Sequence, residues 1–189
     1  MKKYIIVLPL LLGACMHRSP QVQLYTLPSG DMAKPVSNMN ASIDIGRIRI
    51  PEYLDRAQIV TIDGTNVVAS QTNRWAENIS QMLHRNTIER INHYLPNATV
   101  KPDNFMAESG DYTVFIEIYK IDGALGDAVK MDAVYSITDA ASEQVALETV
   151  HYSTAVGDSY SDYAAGIGKL SDKLARDISV KISSIADKK

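Results

Sequence analysis

The sequence predicts an α+β fold, in which a mostly antiparallel sheet carries two amphipathic helices packed on one face. Two long segments, ending near Tyr94 and near Ile185, repeat apolar residues at the helical period. Several shorter segments alternate apolar and polar residues as strands do, and the links between them are short. The order is strands, helix, strands, helix, which is typical of a layered α+β domain.

The chain begins with the pattern of a lipoprotein signal peptide. Two lysines precede an apolar run from Tyr4 to Leu12, and two small residues then lead directly into Cys15, the single cysteine of the sequence. The apolar run is far shorter than the ~20 residues that a membrane-spanning helix needs. We therefore expect a signal peptide over 1–14 and acylation of Cys15, whose acyl chains would attach the domain to a membrane.

Composition and the residue after Cys15 indicate where this anchor lies. Met16 stands where an aspartate would retain a lipoprotein in the inner membrane of a two-membrane bacterium. We therefore expect the periplasmic face of the outer membrane. A single cysteine allows no intramolecular disulfide, so stability must come from an ordinary core. The formal net charge of -3 argues against nucleic acid as a partner.

A tether is predicted between the anchor and the folded domain. Residues 15–40 are rich in proline, glycine, serine and asparagine, the composition of a linker. Residues 23–27 have β character and are followed by Pro28, which predicts an edge strand. A single α+β domain is expected over 41–187.

The domain opens with a bulged strand and a hairpin. Apolar residues alternate over 43–45 and continue in the opposite phase over 48–50, and a one-residue shift at a glycine predicts a β-bulge. Pro51 ends this strand. Residues 58–62 and 67–70 then flank a turn with an Asp-Gly pair, which predicts a hairpin.

A helix is predicted next, with Thr72 or Asn73 as its cap, an end near Tyr94, and Pro96 closing it. A short strand is expected over 98–101. The residues expected on the apolar stripe of the helix are Trp75, Ile79, Met82, Leu83, Ile91 and Tyr94.

Three further strands are predicted over 111–121, 129–138 and 145–156, separated by turns. The first is apolar on both faces, which predicts a central position and places Phe115, Tyr119 and Ile121 together on its second face. With only two helices available, that second face needs cover from the tether, another subunit or a partner.

The last helix begins at Asp158 or Ser159 as its cap. Its apolar stripe consists of Tyr163, Ile167, Leu170, Leu174, Ile178, Ile182 and Ile185.

The sequence carries no recognisable catalytic or metal-binding motif. His84 and His93 are nine residues apart, so they point in opposite directions on one helix and cannot share a metal. There is no nucleophile elbow, P-loop or dinucleotide-binding glycine motif. We therefore expect no enzyme activity, no catalytic residue, no bound metal and no cofactor.

The connection from Ile50 through Arg56 to Val60 combines proline, charged, aromatic and aliphatic residues within a short segment. Pro51 stops the strand ladder, Tyr53 and Leu54 are expected to fold back on the core, and Asp55 is expected to pair with Arg56 or to cap the next turn.

This stretch resembles the I-P-x-Y-L-D-R-P-Q-I-V signature of the PqiC (YmbA) family, the auxiliary lipoproteins of ABC-type, MCE-linked transport systems. Ala57 stands where that family usually has proline. Tyr25-Thr26-Leu27 resembles its entry strand, and Arg74-Trp75-Ala76-Glu77 resembles its R-W-A-E helix start.

The resemblance implies an outer-membrane lipoprotein that contacts a periplasm-spanning MCE-domain protein, helps to move lipids between the membranes, and forms a homo-oligomer. It implies no catalysis and no cofactor. Whether the residues from Ile50 to Arg56, with Trp75, are structural or contact a partner stays open. Two other functions also remain: a tethered lipid carrier with its own apolar cavity, and a lipid-anchored periplasmic enzyme.

Overall fold

The chain folds into two mixed β-sheets and two helices, which confirms the α+β class. The structure is a computed structural model, and it describes residues 20–28, 30, 32–103 and 110–188. The elements within these residues are β1 (Gln23–Tyr25), β2 (Ser42–Ile45), β3 (Gln58–Asp63), β4 (Asn66–Trp75), α1 (Ile79–Tyr94), β5 (Thr99–Pro102), β6 (Tyr112–Gly123), β7 (Ala128–Asp139), β8 (Gln144–Ala155) and α2 (Tyr160–Ala186).

The larger sheet has five strands in the order β5-β2-β6-β7-β8. The long strands β6, β7 and β8 pair antiparallel, whereas β2 runs parallel to both β5 and β6. The smaller sheet has the order β1-β4-β3, and β1 runs parallel to β4. The sheets are thus mixed, because non-consecutive strands meet after crossover connections.

The hairpin and the bulged strand occur where the sequence predicts them. Asp63 pairs with Asn66 across the β3–β4 turn, and Gly64 adopts a φ of +60° there. After β2 the chain continues along β6: Ile45 lies opposite Val114, and Arg49 forms a bridge opposite Glu117. Between these two pairs, the segment after β2 advances four residues while β6 advances three. The segment after β2 therefore contains the extra residue of a bulge.

The predicted start of the first helix is wrong. Thr72 and Asn73 lie inside β4, and Trp75 is the last residue of that strand rather than part of a helical stripe. The helix begins at Ile79 with Asn78 as its cap, whose side chain accepts hydrogen bonds from the first turn. Pairing of β4 with β3 on one side and β1 on the other outweighs the helical spacing of its apolar residues.

The central position of β6 is confirmed, but its two faces differ from the prediction. The register shifts between Ile118 and Lys120, so that the bulge turns Ile121 inward, where it is 1% exposed. Phe115 and Tyr119 remain on the opposite face and are exposed. A bulge changes the phase of all later side chains, and alternation alone did not reveal it.

Both helices cover one face of the larger sheet and pack against each other. α1 contacts β5, and α2 contacts β7 and β8. Ser159 caps α2 as predicted, accepting a hydrogen bond from the backbone N–H of Asp162. The predicted stripe of α2 is buried from Tyr163 to Ile182. Within the described ranges, neither helix combines the length and the hydropathy that crossing a bilayer requires.

The segment between β1 and β2 lies across the two helices, and we call residues 26–38 the strap (Ser29 and Asp31 fall outside the described residues). Its backbone is bonded to α1 and to the residues just after it. These bonds join Arg90 Nη2 to the Pro28 carbonyl (2.8 Å), His93 Nε2 to the Ala33 carbonyl (2.7 Å), the Val36 N–H to the Tyr94 carbonyl (2.8 Å) and Asn97 Nδ2 to the Asn38 carbonyl (3.1 Å). The predicted tether therefore contacts the domain along this part of its length.

Candidate docking surface

The face of the larger sheet that points away from the helices is a candidate docking surface, and we call it the outer face. Three large apolar side chains stand on it with no cover from the described residues: Phe115 is 47% exposed, Tyr119 53% and Leu147 60%. Apolar side chains that are exposed singly are common on soluble proteins, but several on one face of a sheet mark an interaction site.

Strand register brings these side chains into rows across the sheet. Phe115 lies opposite Ser136, and Ser136 lies opposite Leu147 on the edge strand. Neighbouring positions on one face of a sheet are close enough for side chains to act together. Phe115 and Leu147 therefore flank Ser136 in one row, and we call these two side chains, together with Tyr119 on β6, the apolar centre.

Two arginines border this centre at the bulge that follows β2. A shallow groove of about 220 Å³ is lined by Arg47, Arg49, Phe115, Ile116, Glu117, Val134 and Ser136. The bulge is held by the N–H of Arg49, which donates to the Ile116 carbonyl (3.1 Å), and by the N–H of Ile118, which donates to the Arg49 carbonyl (2.9 Å). A well-bonded backbone thus fixes the position of Arg49 beside the apolar centre.

Gly46 makes room for the aromatic ring of this groove. A Cβ at position 46 would lie 3.0 Å from Cδ1 of Phe115 and 3.3 Å from the Val114 carbonyl oxygen. The absence of a side chain lets the ring lie against the bulge, so that the apolar centre and the arginines form one surface.

The rest of the outer face is polar. Asp132 and His151 lie opposite each other on β7 and β8, and their side chains are 2.8 Å apart between Oδ1 and Nδ1. An apolar centre with a charged and polar border is the usual anatomy of a non-obligate protein interface. The arrangement suits protein contact.

The edge strand adds to this surface. β8 is twelve residues long and is the last strand of the larger sheet. Among the described residues, no strand pairs with its free edge. Free edges of this length are normally covered, because their unpaired N–H and C=O groups bind other strands.

The residues of the family motif lie elsewhere, at the junction between the two sheets. They form a tight turn, in which the N–H of Leu54 donates to the Pro51 carbonyl (3.0 Å). Leu54 is only 4% exposed and belongs to the core. The N–H of Trp75 donates to the carbonyl of Ala57 (2.7 Å), so the turn and the end of β4 are bonded together. Trp75 itself is 5% exposed.

Some of the other motif residues contact the core or the cap of α1, and others are exposed. Asp55 accepts a hydrogen bond from Asn78, the cap of α1, rather than pairing with Arg56, which is exposed. Ile50 packs against the core in part. Tyr53 is half-buried, and this burial raises the pKa of its phenol, with the nearby carboxylate of Asp122 adding to the effect.

Cys15, the predicted acylation site, lies outside the described residues. The two helix histidines both bind backbone carbonyls: His84 Nε2 donates to Ile45 (2.9 Å), and His93 Nε2 donates to Ala33. Within the described ranges, no three His, Cys, Asp or Glu side chains lie close enough to hold a metal ion.

Sequence analysis did not single out Arg49 or Leu147 as surface residues. For Leu147 a signal was present, because it alternates outward with Thr149 and His151 along β8. For Arg49 the signal was the phase shift itself, which turns the odd positions after Gly46 away from the core.

The comparisons with known proteins agree with this fold. The model of the family described as ABC-type transport auxiliary lipoprotein component matches residues 25–179. No curated protein matches the chain significantly. The crystal structure of an uncharacterized protein superimposes with a TM-score of 0.72 at 15% identity, covering 86% of this chain and 99% of that one. A DUF330 protein from Xanthomonas campestris gives a TM-score of 0.67 at 12% identity, covering 88% of this chain and 99% of that one. At these identities, the likeness to solved structures shows the fold alone.

Proposed function

Because the chain belongs to the family of ABC-type transport auxiliary lipoproteins, we propose that it is an outer-membrane adaptor of a Pqi-type lipid transport system. In this role it docks the periplasm-spanning MCE protein at the outer membrane, on the periplasmic side. The family is one of transport components and not of enzymes, and the surface described above fits protein contact.

The N-terminal sequence supports the anchor. The small residues before Cys15 fit the narrow site of a lipoprotein signal peptidase, and Met16 lacks the carboxylate that would retain the protein in the inner membrane. Several acyl chains on one cysteine give stable attachment, whereas a single chain is marginal. Cys15 is therefore the proposed acylation site.

The single observation that carries the docking role is the uncovered outer face. Phe115, Tyr119 and Leu147 expose about half or more of their surfaces, and Phe115 lies beside the two arginines of the bulge. In this proposal, a second copy of the chain pairs with the β8 edge and an MCE protein covers the outer face. This assigns the proposed homo-oligomer and the proposed partner to neighbouring parts of one surface.

The alternative is a tethered lipid carrier that holds an acyl chain in its own cavity. The space between the larger sheet and the helices is filled by side chains such as Met131, Ile167 and Leu170, each at most 1% exposed. Two larger grooves of about 390 Å³ are open to solvent, and each has charged side chains among its lining residues: Arg90 and Asp172 in one, and Asp103, beside His84, in the other. Acyl chains are held by apolar walls, which favours the adaptor over the carrier.

The test is affinity purification of the acylated protein from crosslinked cells, followed by identification of its partners. A Phe115→Ser, Leu147→Ser double variant removes the apolar centre without touching the core. The matched control is Val180→Ser, since Val180 is also an exposed apolar residue (42%) but lies on α2. We expect the MCE protein with the wild type and the control, and its loss with the double variant.

Recovery of the MCE protein with the double variant would remove the outer face from the proposal. A purified monomer that carries lipid and never captures an MCE protein would support the carrier instead. Both outcomes are visible in the same preparation, because its lipid content and its protein partners are measured together.

A further inference from the structure

The tip of the β3–β4 hairpin, residues 63–68, is exposed throughout. Val67 and Val68 are successive residues of β4, so their side chains point to opposite faces of the strand, yet they are 49% and 41% exposed. The tip therefore extends beyond the body of the domain and presents an apolar side chain on each of its faces.

The tip is also poor in charge. Between Arg56 and Arg74 the sequence has one charged residue, Asp63, although 22% of the whole chain is charged. Exposed hairpins usually carry charged residues that prevent unwanted pairing. A tip with two exposed valines and a single charge instead suits a surface from which water is partly excluded.

The N-terminal end of β1 points in the same direction along the smaller sheet as this tip. β1 runs parallel to β4, and Gln23 lies opposite Asn73. Going backwards along β1 from Tyr25 to Gln23 therefore runs in the same direction as going backwards along β4 from Trp75 towards Val68. Val22 (45% exposed) and Leu24 (65%) add apolar side chains along this part of the chain.

The two distances are compatible with one membrane plane. Cys15 precedes Gln23 by eight residues, so its Cα lies within about 29 Å of that of Gln23 even when the chain is fully extended. Val67 and Val68 precede Asn73 by at most six residues, which places them within about 20 Å of Asn73 along the strand. A membrane that holds the acyl chains of Cys15 is therefore within reach of the tip.

The point at which the chain leaves the domain is fixed. The N–H of Ala76 donates to the Tyr25 carbonyl (2.8 Å), and the buried guanidinium of Arg90 donates to the Pro28 carbonyl. These bonds hold Tyr25 and Pro28 against the domain and thereby fix the end of β1 that precedes them.

We propose that the tip of the β3–β4 hairpin contacts the lipid surface, with Val67 and Val68 entering the interfacial region beside the acyl chains of Cys15. This rests on the proposed acylation of Cys15 and goes beyond it, because it gives the domain a second membrane contact and a fixed orientation. The hairpin end of the sheet of β1, β4 and β3 then points towards the membrane. Burial of apolar side chains at the interface adds to the attachment given by the acyl chains.

The test uses the full-length acylated protein in vesicles of phosphatidylethanolamine and phosphatidylglycerol that contain a nitroxide-labelled lipid. Because Cys15 is the only cysteine and is blocked by acylation, the variants Val68→Cys and Val180→Cys each carry one reactive thiol for an environment-sensitive fluorophore. Val180 is the matched control, as exposed as Val68 (42% against 41%) but on α2. We expect blue-shifted emission at position 68 and nitroxide quenching several times that at position 180.

Flotation of the vesicles separates this inference from the anchor. Protein that floats with the vesicles while both positions are quenched equally overturns the hairpin contact and leaves the anchor standing. Protein that does not float overturns both. A label at position 68 that is blue-shifted but not quenched by the nitroxide lipid lies against protein, which also overturns the proposed lipid contact.

Discussion

Replacement of Arg90 by alanine tests the buried bonds that hold the strap. The guanidinium donates to Asn86 Oδ1 (2.6 Å), to Asp172 Oδ1 (2.7 Å) and to the Pro28 carbonyl (2.8 Å), and its side chain is only 3% exposed. Removing one partner of a buried ion pair typically costs about 3–5 kcal/mol, because the other charge is left without compensation. Asp172 is 20% exposed and keeps a hydrogen bond from the Tyr94 hydroxyl (2.8 Å), so we expect the lower end, about 3 kcal/mol.

The control is Arg85→Ala on the same helix. Arg85 also forms a two-point ion pair, with both distances to Glu77 at 2.9 Å, but the two side chains are 53% and 45% exposed. Exposed pairs contribute much less than buried ones, because water screens their charges. Urea unfolding of the protein lacking residues 1–19 measures both variants under the same conditions. Equal losses for Arg90→Ala and Arg85→Ala would refute the argument from burial.

Hydrogen exchange gives a local measure of the same bond network. The Val36 N–H donates to the Tyr94 carbonyl and is protected only while the strap lies on α1. We expect its exchange to accelerate in Arg90→Ala and to stay unchanged in Arg85→Ala. Unchanged protection in both variants would mean that Arg90 does not hold the strap.

Three other predictions concern stability. Trp75→Ala should lower the free energy of unfolding by about 3–5 kcal/mol in a denaturant titration, since Trp75 is 5% exposed; a loss below about 0.5 kcal/mol would contradict its core position. Asn78→Ala should cost about 1 kcal/mol by removing the cap of α1, and Asn78→Ser should restore most of it. Burial, followed by the hydrogen bond to Asp172, raises the pKa of Tyr94 from 10.0 to about 12. The protonated phenol thus stabilises the fold fully below pH 10 and loses this contribution as the pH rises towards 12. Between these pH values, the melting temperature of Tyr94→Phe should therefore fall less than that of the wild type.

The sequence was sufficient where local pattern decides the structure. The hairpin at Asp63 to Asn66, the bulge after Gly46 and the long stripe of α2 each depend on a few neighbouring residues. These signals act within one element, so they can be recognised without knowledge of its partners.

The sequence was insufficient where distant partners decide. Residues 72–75 have helical spacing with Ile79, yet pairing with β1 and β3 makes them a strand. The composition of residues 26–38 predicted a tether, but backbone carbonyl groups of this segment make its contacts with α1. Because every residue type has a carbonyl, composition does not reveal such contacts. The inward turn of Ile121 depends on a bulge whose cause lies in the pairing of β6 with β7.

The outer face illustrates both cases. Alternation in β6 predicted that a second face needs cover, and Phe115 and Tyr119 are on that face. The sequence did not predict that Leu147 and the two arginines would join them, because strand register sets that meeting. Family membership indicates association with a transport system, and the MCE protein as the partner stays a proposal.

The most direct measurement of the docking claim is binding between purified components. The acylated protein is held in lipid nanodiscs, and the periplasmic part of the MCE protein is titrated against it by interferometry. We predict saturable binding that weakens about tenfold or more in Leu147→Asp, equivalent to about 1.4 kcal/mol, and is unchanged in Val180→Asp. Absence of binding to the wild type, or equal binding by wild type and Leu147→Asp, would contradict the account.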